Sequence, residues 1–186
     1  MDVEASELQT YYDQYYAQAR FEWPEAVTAS LRQLVHACES FRHSGRWLDI
    51  GFGEGALLDA VEHFGWSCYG IEISLPCLDY GRQRGWSVTS DVEDEDILPK
   101  RGFDVVSMVE VLEHVAQPDA YLRIAAQALR PGGLLYMTTP NVRSLNRRLL
   151  GLQWSVFSPP EHLSLWSIAG IHSILDKTGF EPIKMG

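Results

Sequence analysis

Three glycines alternate at the end of a short apolar run, Arg46-Trp47-Leu48-Asp49-Ile50-Gly51-Phe52-Gly53-Glu54-Gly55. A buried strand that ends in Gly-x-Gly-x-Gly and opens a helix brings bare backbone and a helix N-terminus against a ligand, with no Cβ in the way. That arrangement holds nucleotide-containing cofactors at the carboxyl end of a parallel sheet. Acids stand around it: Asp49 just before the first glycine, Glu72 after a second apolar run, and Asp91 beside Val92 after a third. Further along come Glu110, Glu113 and His114, and then His162 behind Pro159-Pro160. An imidazole suits deprotonation of a hydroxyl at neutral pH. A carboxylate-rich set with one imidazole is not a tight metal signature, so no metal is expected.

The elements that must position these residues alternate strand and helix. Two helical stretches come first: Leu8, Tyr11, Tyr12, Tyr15, Tyr16 and Ala19 repeat at helical spacing, and Pro24 opens a second run from Val27 to Phe41. A strand near 46–51 leads to a helix carrying Leu57, Leu58, Val61 and Phe64. A strand from Cys68 to Ile73 leads to a helix near 75–84. Trp86 to Thr89 is a short third strand, followed by an acidic loop from Asp91 to Lys100. Phe103 to Val109 is apolar throughout, as strands are when helices cover both faces of a sheet. Pro118 opens another helix, Pro131-Gly132-Gly133 turns the chain into a fifth strand from Leu134 to Thr139, and Leu165, Ile168, Ile171 and Leu175 mark a last helix. Phe180 to Met185 begins a sixth strand. The alternation predicts a doubly wound α/β sheet.

The totals narrow the function. With 186 residues there is chain enough for one full core. A formal net charge of −10 opposes a general nucleic-acid binder, which needs a cationic face. Arg143, Arg147 and Arg148 form the one basic cluster, read first as a solvated helix face. The three cysteines have no Cys-x-x-Cys pairing, which suits a reducing compartment. The acidic N-terminus is followed by no signal-peptide core, and no apolar run reaches the length of a membrane span, so the cytoplasm is expected.

Two cofactors compete for the glycine loop. Gly51-Phe-Gly53-Glu-Gly55-Ala56 fits the dinucleotide pattern, and Glu72 follows Gly51 at about the spacing of a ribose-binding acid in nicotinamide folds. Asp49 separates them: it repels a pyrophosphate and attracts the cationic ammonium of S-adenosylmethionine, directly or through water. Asp91, with the backbone of Val92 beside it, stands where an acid accepts from an adenine amino group. No hydride-transfer constellation follows.

At this point the chain resembles a class I S-adenosylmethionine-dependent methyltransferase. Leu48-Asp49-Ile50-Gly51-Phe52-Gly53-Glu54-Gly55 is similar to that family's first motif and Tyr69-Gly70-Ile71-Glu72-Ile73-Ser74 to its second. Phe103 to Val115 resembles the fourth-strand motif of the quinone-biosynthesis-like branch, and Leu129-Arg130-Pro131-Gly132-Gly133-Leu134 the turn before the fifth strand. Thr139-Pro140-Asn141 and Pro160-Glu161-His162-Leu163 resemble a subgroup acting on small molecules. The resemblance implies a Rossmann-like, mostly parallel sheet in the order 3-2-1-4-5-7-6, here stopping inside strand 6. It implies a helical cap over residues 1–45 and a cofactor domain over 46–186. Gly51, Gly53 and Gly55 then approach the amino-acid half of the cofactor, and Glu72 accepts from the ribose hydroxyls. Glu110 is read as a contact to the methionine end. His114 and His162 are the candidate bases, with S-adenosylhomocysteine as product and a small-molecule acceptor methylated on oxygen. A nicotinamide-dependent oxidoreductase and a non-catalytic cofactor-binding module remain alternatives. The tyrosine stripe from Tyr11 to Tyr16 reads first as packing, and second as the cofactor cover that N-terminal helices provide in that family. Phe52 is left between a place over the cofactor and one on the surface.

Overall fold

The computed structural model describes residues 5–18, 22–142 and 163–184. Helices α1 (Ala5–Tyr16) and α2 (Glu25–Cys38) come first, the second opened by Pro24 and continued by a single tight turn over Glu39–Phe41. Strand β1 (Arg46–Ile50) and helix α3 (Ala56–His63) follow, then β2 (Ser67–Ile71), α4 (Leu75–Arg84) and β3 (Ser87–Thr89). Next come β4 (Phe103–Val109), α5 (Pro118–Ala128), β5 (Leu129–Thr138) and α6 (Ile168–Lys177). The five strands form one parallel sheet in the order β3-β2-β1-β4-β5. The predicted doubly wound class and the first five places of its order are therefore correct.

The chain divides into two compact units, Met1–Ser107 with Ala128–Tyr136, and Met108–Gln127 with Met137–Gly186. In the first, Trp47 to Ile50 are all buried on β1, and Phe103 to Ser107 on β4. Such unbroken burial requires cover on both sheet faces. Helix α3 packs on β1 and β2, α2 on α3, α4 on β3, and α1 on α4. Register is set by parallel pairing of Asp49 with Gly70 and with Ser107, and of Ile71 with Thr89. This brings the ends of β1, β2 and β3 to one edge.

The opposite end of the sheet is tied by a buried acid. Asp104 accepts the backbone N–H groups of His43 and Gly45 at 2.8 and 2.7 Å and the Arg130 Nε at 2.7 Å. Arg130 in turn donates to the carbonyl of Phe41 at 2.6 Å. Burial pushes the Asp104 carboxyl up, but these donors outweigh it and hold the pKa down, at about 2.

In the second unit, Met108, Leu112, Leu122, Ala125, Ile171 and Leu175 are buried. Helix α6 starts later than its apolar pattern predicts, because the Ser167 hydroxyl accepts the N–H of Gly170 at 3.1 Å and sets the N-terminus there. Strand β5 begins at Leu129 rather than Leu134, since Arg130 is already fixed by Asp104. Residues 180–184 form no strand, in contrast to the expected sixth. Pro182 lacks the N–H a ladder needs. The tyrosine stripe differs too: Tyr12 stacks on Tyr16 at 6.3 Å and Tyr11 on Tyr15 at 6.4 Å, while Tyr11 and Tyr15 stay exposed instead of joining the core.

Candidate functional site

The glycine loop is built from the end of β1. Its first turn is held by Gly51 and Phe52, both donating to the carbonyl of Ile71 at 2.8 and 3.4 Å. Gly55 sits at the N-cap of α3 with φ 83°, and a Cβ there would lie 2.7 Å from the Trp86 ring. Only glycine meets both demands. Gly53 has φ 51°. Phe52 corrects both readings offered for it: it is 5 % exposed, with its ring against the bare Cα of Gly70 and edge-on to Trp86 at 6.2 Å. It belongs to the core beneath the loop.

Glu72 organises the loop from the next strand. Its Oε2 accepts the N–H of Gly53 at 2.9 Å, and its Oε1 accepts those of Ile73 and Ser74 at 2.7 and 2.9 Å. A carboxylate offers about four acceptor sites. Oε1 is thus filled, and the remaining capacity lies on Oε2, beside Gly53. Asp49 is 2 % exposed; its Oδ1 accepts the Ser107 hydroxyl at 2.6 Å, and Ser107 accepts the Trp47 indole N–H at 2.8 Å. Burial raises the Asp49 pKa to about 7, against the Ser107 hydrogen bond and with a further upward push from Glu72. Ser107 was not singled out from sequence, although a lone serine inside the apolar run from Phe103 to Val109 is the signal that marks it. Asp91 is exposed; its Oδ1 accepts the N–H of Glu93 at 2.8 Å and its own N–H bonds Thr89 Oγ1 at 3.1 Å. Because Glu72 donates its N–H to the carbonyl of Thr89 at 3.1 Å, Asp91 and Val92 follow β3 at the edge that Glu72 occupies after β2. Asp49, Gly51, Gly53, Gly55 and Glu72 are therefore brought together in one unit, with Asp91 and Val92 on the adjoining strand end.

The second unit holds the other cluster. Glu110, the first residue after β4, is exposed and takes φ 52°, a left-handed conformation that costs an ordinary side chain energy. Its N–H reaches the carbonyl and hydroxyl of Thr138 at 3.1 and 3.2 Å. Glu113 is fully buried: Oε2 accepts the Thr139 hydroxyl at 2.9 Å, and its carbonyl accepts the N–H groups of Leu163 and Ser164 at 2.8 and 3.1 Å. Its Oε1 meets no donor among the described residues. Burial above all, and the neighbouring Glu110 carboxyl, raise its pKa, while its own backbone N–H and Thr139 oppose the rise. His114 Nε2 lies 3.9 Å from Glu113 Oε1, close enough for electrostatic stabilisation and too long for a hydrogen bond. His162 and the arginines Arg143, Arg147 and Arg148 lie outside the described residues. His36, His43, His63 and His172 are exposed. Among the described residues no three His, Cys, Asp or Glu side chains are arranged to hold a metal ion.

A doubly wound parallel sheet with a glycine loop after β1 and an acid ending β2 defines a Rossmann-like nucleotide-cofactor protein. The methyltransferase-domain family matches residues 23–185, and the chain belongs to it, as a class I S-adenosylmethionine-dependent methyltransferase. It is similar to a protein of Coxiella burnetii named ubiquinone biosynthesis O-methyltransferase, 27 % identical over 159 residues that make up 74 % of this chain and 68 % of that one. A protein of Chelativorans with the same name is 32 % identical over 133 residues, 68 % of this chain and 50 % of its own length. A solved methyltransferase from Archaeoglobus fulgidus shares the fold, with a TM-score of 0.72, 24 % identity, and coverage of 94 % of this chain and 76 % of that one. The nicotinamide and non-catalytic alternatives are set aside, and the cofactor is S-adenosylmethionine. The residues fit that group: a glycine loop with no Cβ, a carboxylate with acceptor capacity on Oε2, and a buried acid able to ionise beside a cation.

Proposed function

We propose that the chain transfers a methyl group to the oxygen of a small-molecule acceptor. Glu72 would hold the ribose hydroxyls through Oε2, Gly51, Gly53 and Gly55 the amino-acid half of the cofactor, and Asp49 its cationic end. Asp91 and the backbone of Val92 would receive the adenine, and Glu110 the methionine end. When bound there, S-adenosylmethionine would supply an activated sulfonium methyl, with S-adenosylhomocysteine as the product. The chain's residues orient donor and acceptor and keep the site dry. His114 takes the acceptor hydroxyl proton, and the buried Glu113 carboxyl stabilises the imidazolium that forms. His162 is the second candidate for that proton.

The observation that carries oxygen over nitrogen is the imidazole of His114 set against Glu113, because a hydroxyl becomes nucleophilic only as a base removes its proton, whereas a neutral amine attacks with its own lone pair. The names of the two relatives support the same choice. We assign residues 1–45 to a cap and 46–186 to the cofactor domain. A net charge of −10 favours a small molecule over nucleic acid. The cytoplasm fits three unpaired, buried cysteines, and no helix among the described residues is long and apolar enough to cross a membrane. The test is transfer of labelled methyl from S-adenosylmethionine into small molecules of a metabolite extract, with the labelled atom located by NMR. Label on carbon or nitrogen alone would overturn the oxygen assignment.

A further inference from the structure

Trp47 and Asp49 lie two residues apart on β1, so their side chains share one face of the sheet, and the register places Ser107 of β4 beside Asp49 on that face. All three are buried, Trp47 and Ser107 completely. Their polar atoms form a chain with one direction. An indole N–H can only donate, and that of Trp47 donates to Ser107 Oγ at 2.8 Å. The hydroxyl has a single proton to give. Two acceptors stand near it, the carbonyl of Leu48 at 3.4 Å and Asp49 Oδ1 at 2.6 Å. The second distance is that of a hydrogen bond to a charged oxygen, so the proton goes to Asp49. Trp66, edge-on to Trp47 at 5.4 Å, holds the indole that starts the chain. An Oδ1 that carried its own proton would face the Ser107 hydroxyl donor against donor. The neighbouring titratable groups give Asp49 no such support. The Glu72 carboxylate, just past β2, pushes its pKa up, and the Cys68 thiol on β2, itself raised to about 12 by burial, stays neutral. On α3, Asp59 and Glu62 are matched by Arg84, and on β4 Asp104 is matched by Arg130. Among the described residues, the Ser107 hydrogen bond is the influence that favours the ionised form of Asp49.

We propose that Ser107 is a positioning residue for the cofactor: aligned by Trp47, its hydroxyl holds Asp49 in the carboxylate form that pairs with the cofactor's ammonium, so that affinity for the amino-acid half follows the ionisation of Asp49. The proposal rests on the assignment of Asp49 to the cationic end of the cofactor. Ser107 acts through Asp49, and Trp47 through Ser107. Because burial holds the Asp49 carboxyl at about 7, affinity rises as pH rises through 7 and levels off above it. Removing the hydroxyl moves that rise to higher pH, since the ionised form loses its hydrogen bond.

The experiment measures, by calorimetric titration, the Kd of two ligands for the wild type, Ser107→Ala, Ser107→Thr and Asp49→Asn. One ligand is S-adenosylhomocysteine; the other is methylthioadenosine, which keeps the adenine and ribose and lacks the amino-acid half. Titrations run from about pH 6 to about pH 7.5, where the ammonium of the ligand keeps its proton. In the wild type, affinity for S-adenosylhomocysteine is expected to rise about 8-fold over that range, and affinity for methylthioadenosine to stay constant. Loss of a hydrogen bond to a charged oxygen moves the midpoint up by about 1–2 pH units, so Ser107→Ala binds S-adenosylhomocysteine about 5- to 50-fold more weakly at pH 7. Its affinity for methylthioadenosine stays within about 2-fold of the wild type, a split that a general loss of packing would not produce. Ser107→Thr keeps the hydroxyl and stays within about 2-fold for both ligands. Asp49→Asn loses both the affinity for S-adenosylhomocysteine and its rise with pH. If Ser107→Ala weakens both ligands alike, or neither, while Asp49→Asn is weak for S-adenosylhomocysteine, the role of Ser107 is refuted and the assignment of Asp49 stands. Ser107→Thr as weak as Ser107→Ala refutes it as well, because the hydroxyl would then not matter. If Asp49→Asn binds S-adenosylhomocysteine as the wild type does, the assignment of Asp49 falls and the role of Ser107 with it.

Discussion

Replacing Glu72 separates two jobs that one carboxylate performs. Oε1 holds the N–H groups of Ile73 and Ser74, and Oε2 holds that of Gly53 and has acceptor capacity to spare. In Glu72→Gln the amide oxygen takes over the Oε1 bonds, and the NH2 group falls at the Oε2 place. There it faces the Gly53 N–H donor against donor and accepts nothing from a ribose. One lost hydrogen bond to a charged acceptor is worth about 1.5–3 kcal/mol, which is about a 10- to 150-fold loss of cofactor affinity. Glu72→Ala loses the same bond and strands all three N–H groups at a position 7 % exposed. At about 1 kcal/mol each, the folded state loses about 3 kcal/mol, or about 8 °C of Tm for a chain of this length. Glu72→Gln should lose about 3 °C. Calorimetric titration with S-adenosylhomocysteine and scanning calorimetry on the three proteins read both quantities. Wild-type binding by Glu72→Gln would exclude Oε2 as the ribose acceptor. Independently, a Glu72→Ala protein that melts with the wild type would show that the three N–H groups do not depend on this carboxylate.

Asp49 has its pKa raised from 3.8 to about 7, so its contribution to stability is full below about pH 4 and disappears as pH rises through 7, a loss of about 4 kcal/mol. Asp49→Asn should therefore gain Tm over the wild type between pH 5 and pH 8; melting curves at the two pH values check it, and a constant difference would contradict it. Asp104 has the opposite sign: its pKa is depressed to about 2, so its stabilisation of about 2 kcal/mol holds above about pH 4 and is lost as pH falls through 2. Asp104→Ala strands Arg130 and two backbone donors and should cost about 3–5 kcal/mol in denaturant titration at pH 7. His114→Ala should lower kcat about 10²- to 10⁴-fold and leave the Kd for S-adenosylhomocysteine unchanged, as rate assays and calorimetry on one preparation will show.

The parts of the fold legible in sequence are those written locally. A strand covered on both faces is an unbroken apolar run, as in Phe103 to Val109, and alternating glycines mark a backbone that a ligand approaches. What escaped depends on partners far along the chain. Phe52 is buried because Gly70 has no Cβ, and nothing in the loop itself announces that distant vacancy. The start of β5 is set by a guanidinium reaching Asp104, and the docking of α1 by an aspartate that caps a helix 62 residues later. The expected sixth strand failed for the same reason in reverse: Phe180 to Lys184 has the composition of a strand, but a strand exists only where a neighbour pairs with it.

Among the described residues four carboxyls are buried, and to the sequence they are interchangeable acids near strand ends. The fold compensates each differently. Asp104 is matched by a cation and two N–H donors, which use its capacity fully, and its role is structural. Asp49 has one hydroxyl, too little to keep it ionised at low cost, and burial holds its pKa near neutrality. Glu72 has three N–H groups and room on one oxygen. Glu113 has one oxygen bonded to Thr139 and the other, 3.9 Å from His114 Nε2, without a donor among the described residues. Burying a carboxyl without full compensation is expensive, and an incomplete donor set is therefore the mark of a group that something else completes. By that criterion the structural acid separates from the other three, and each deficit fits a role proposed above: a cation at Asp49, hydroxyl donors at Glu72, and a proton at Glu113 and His114.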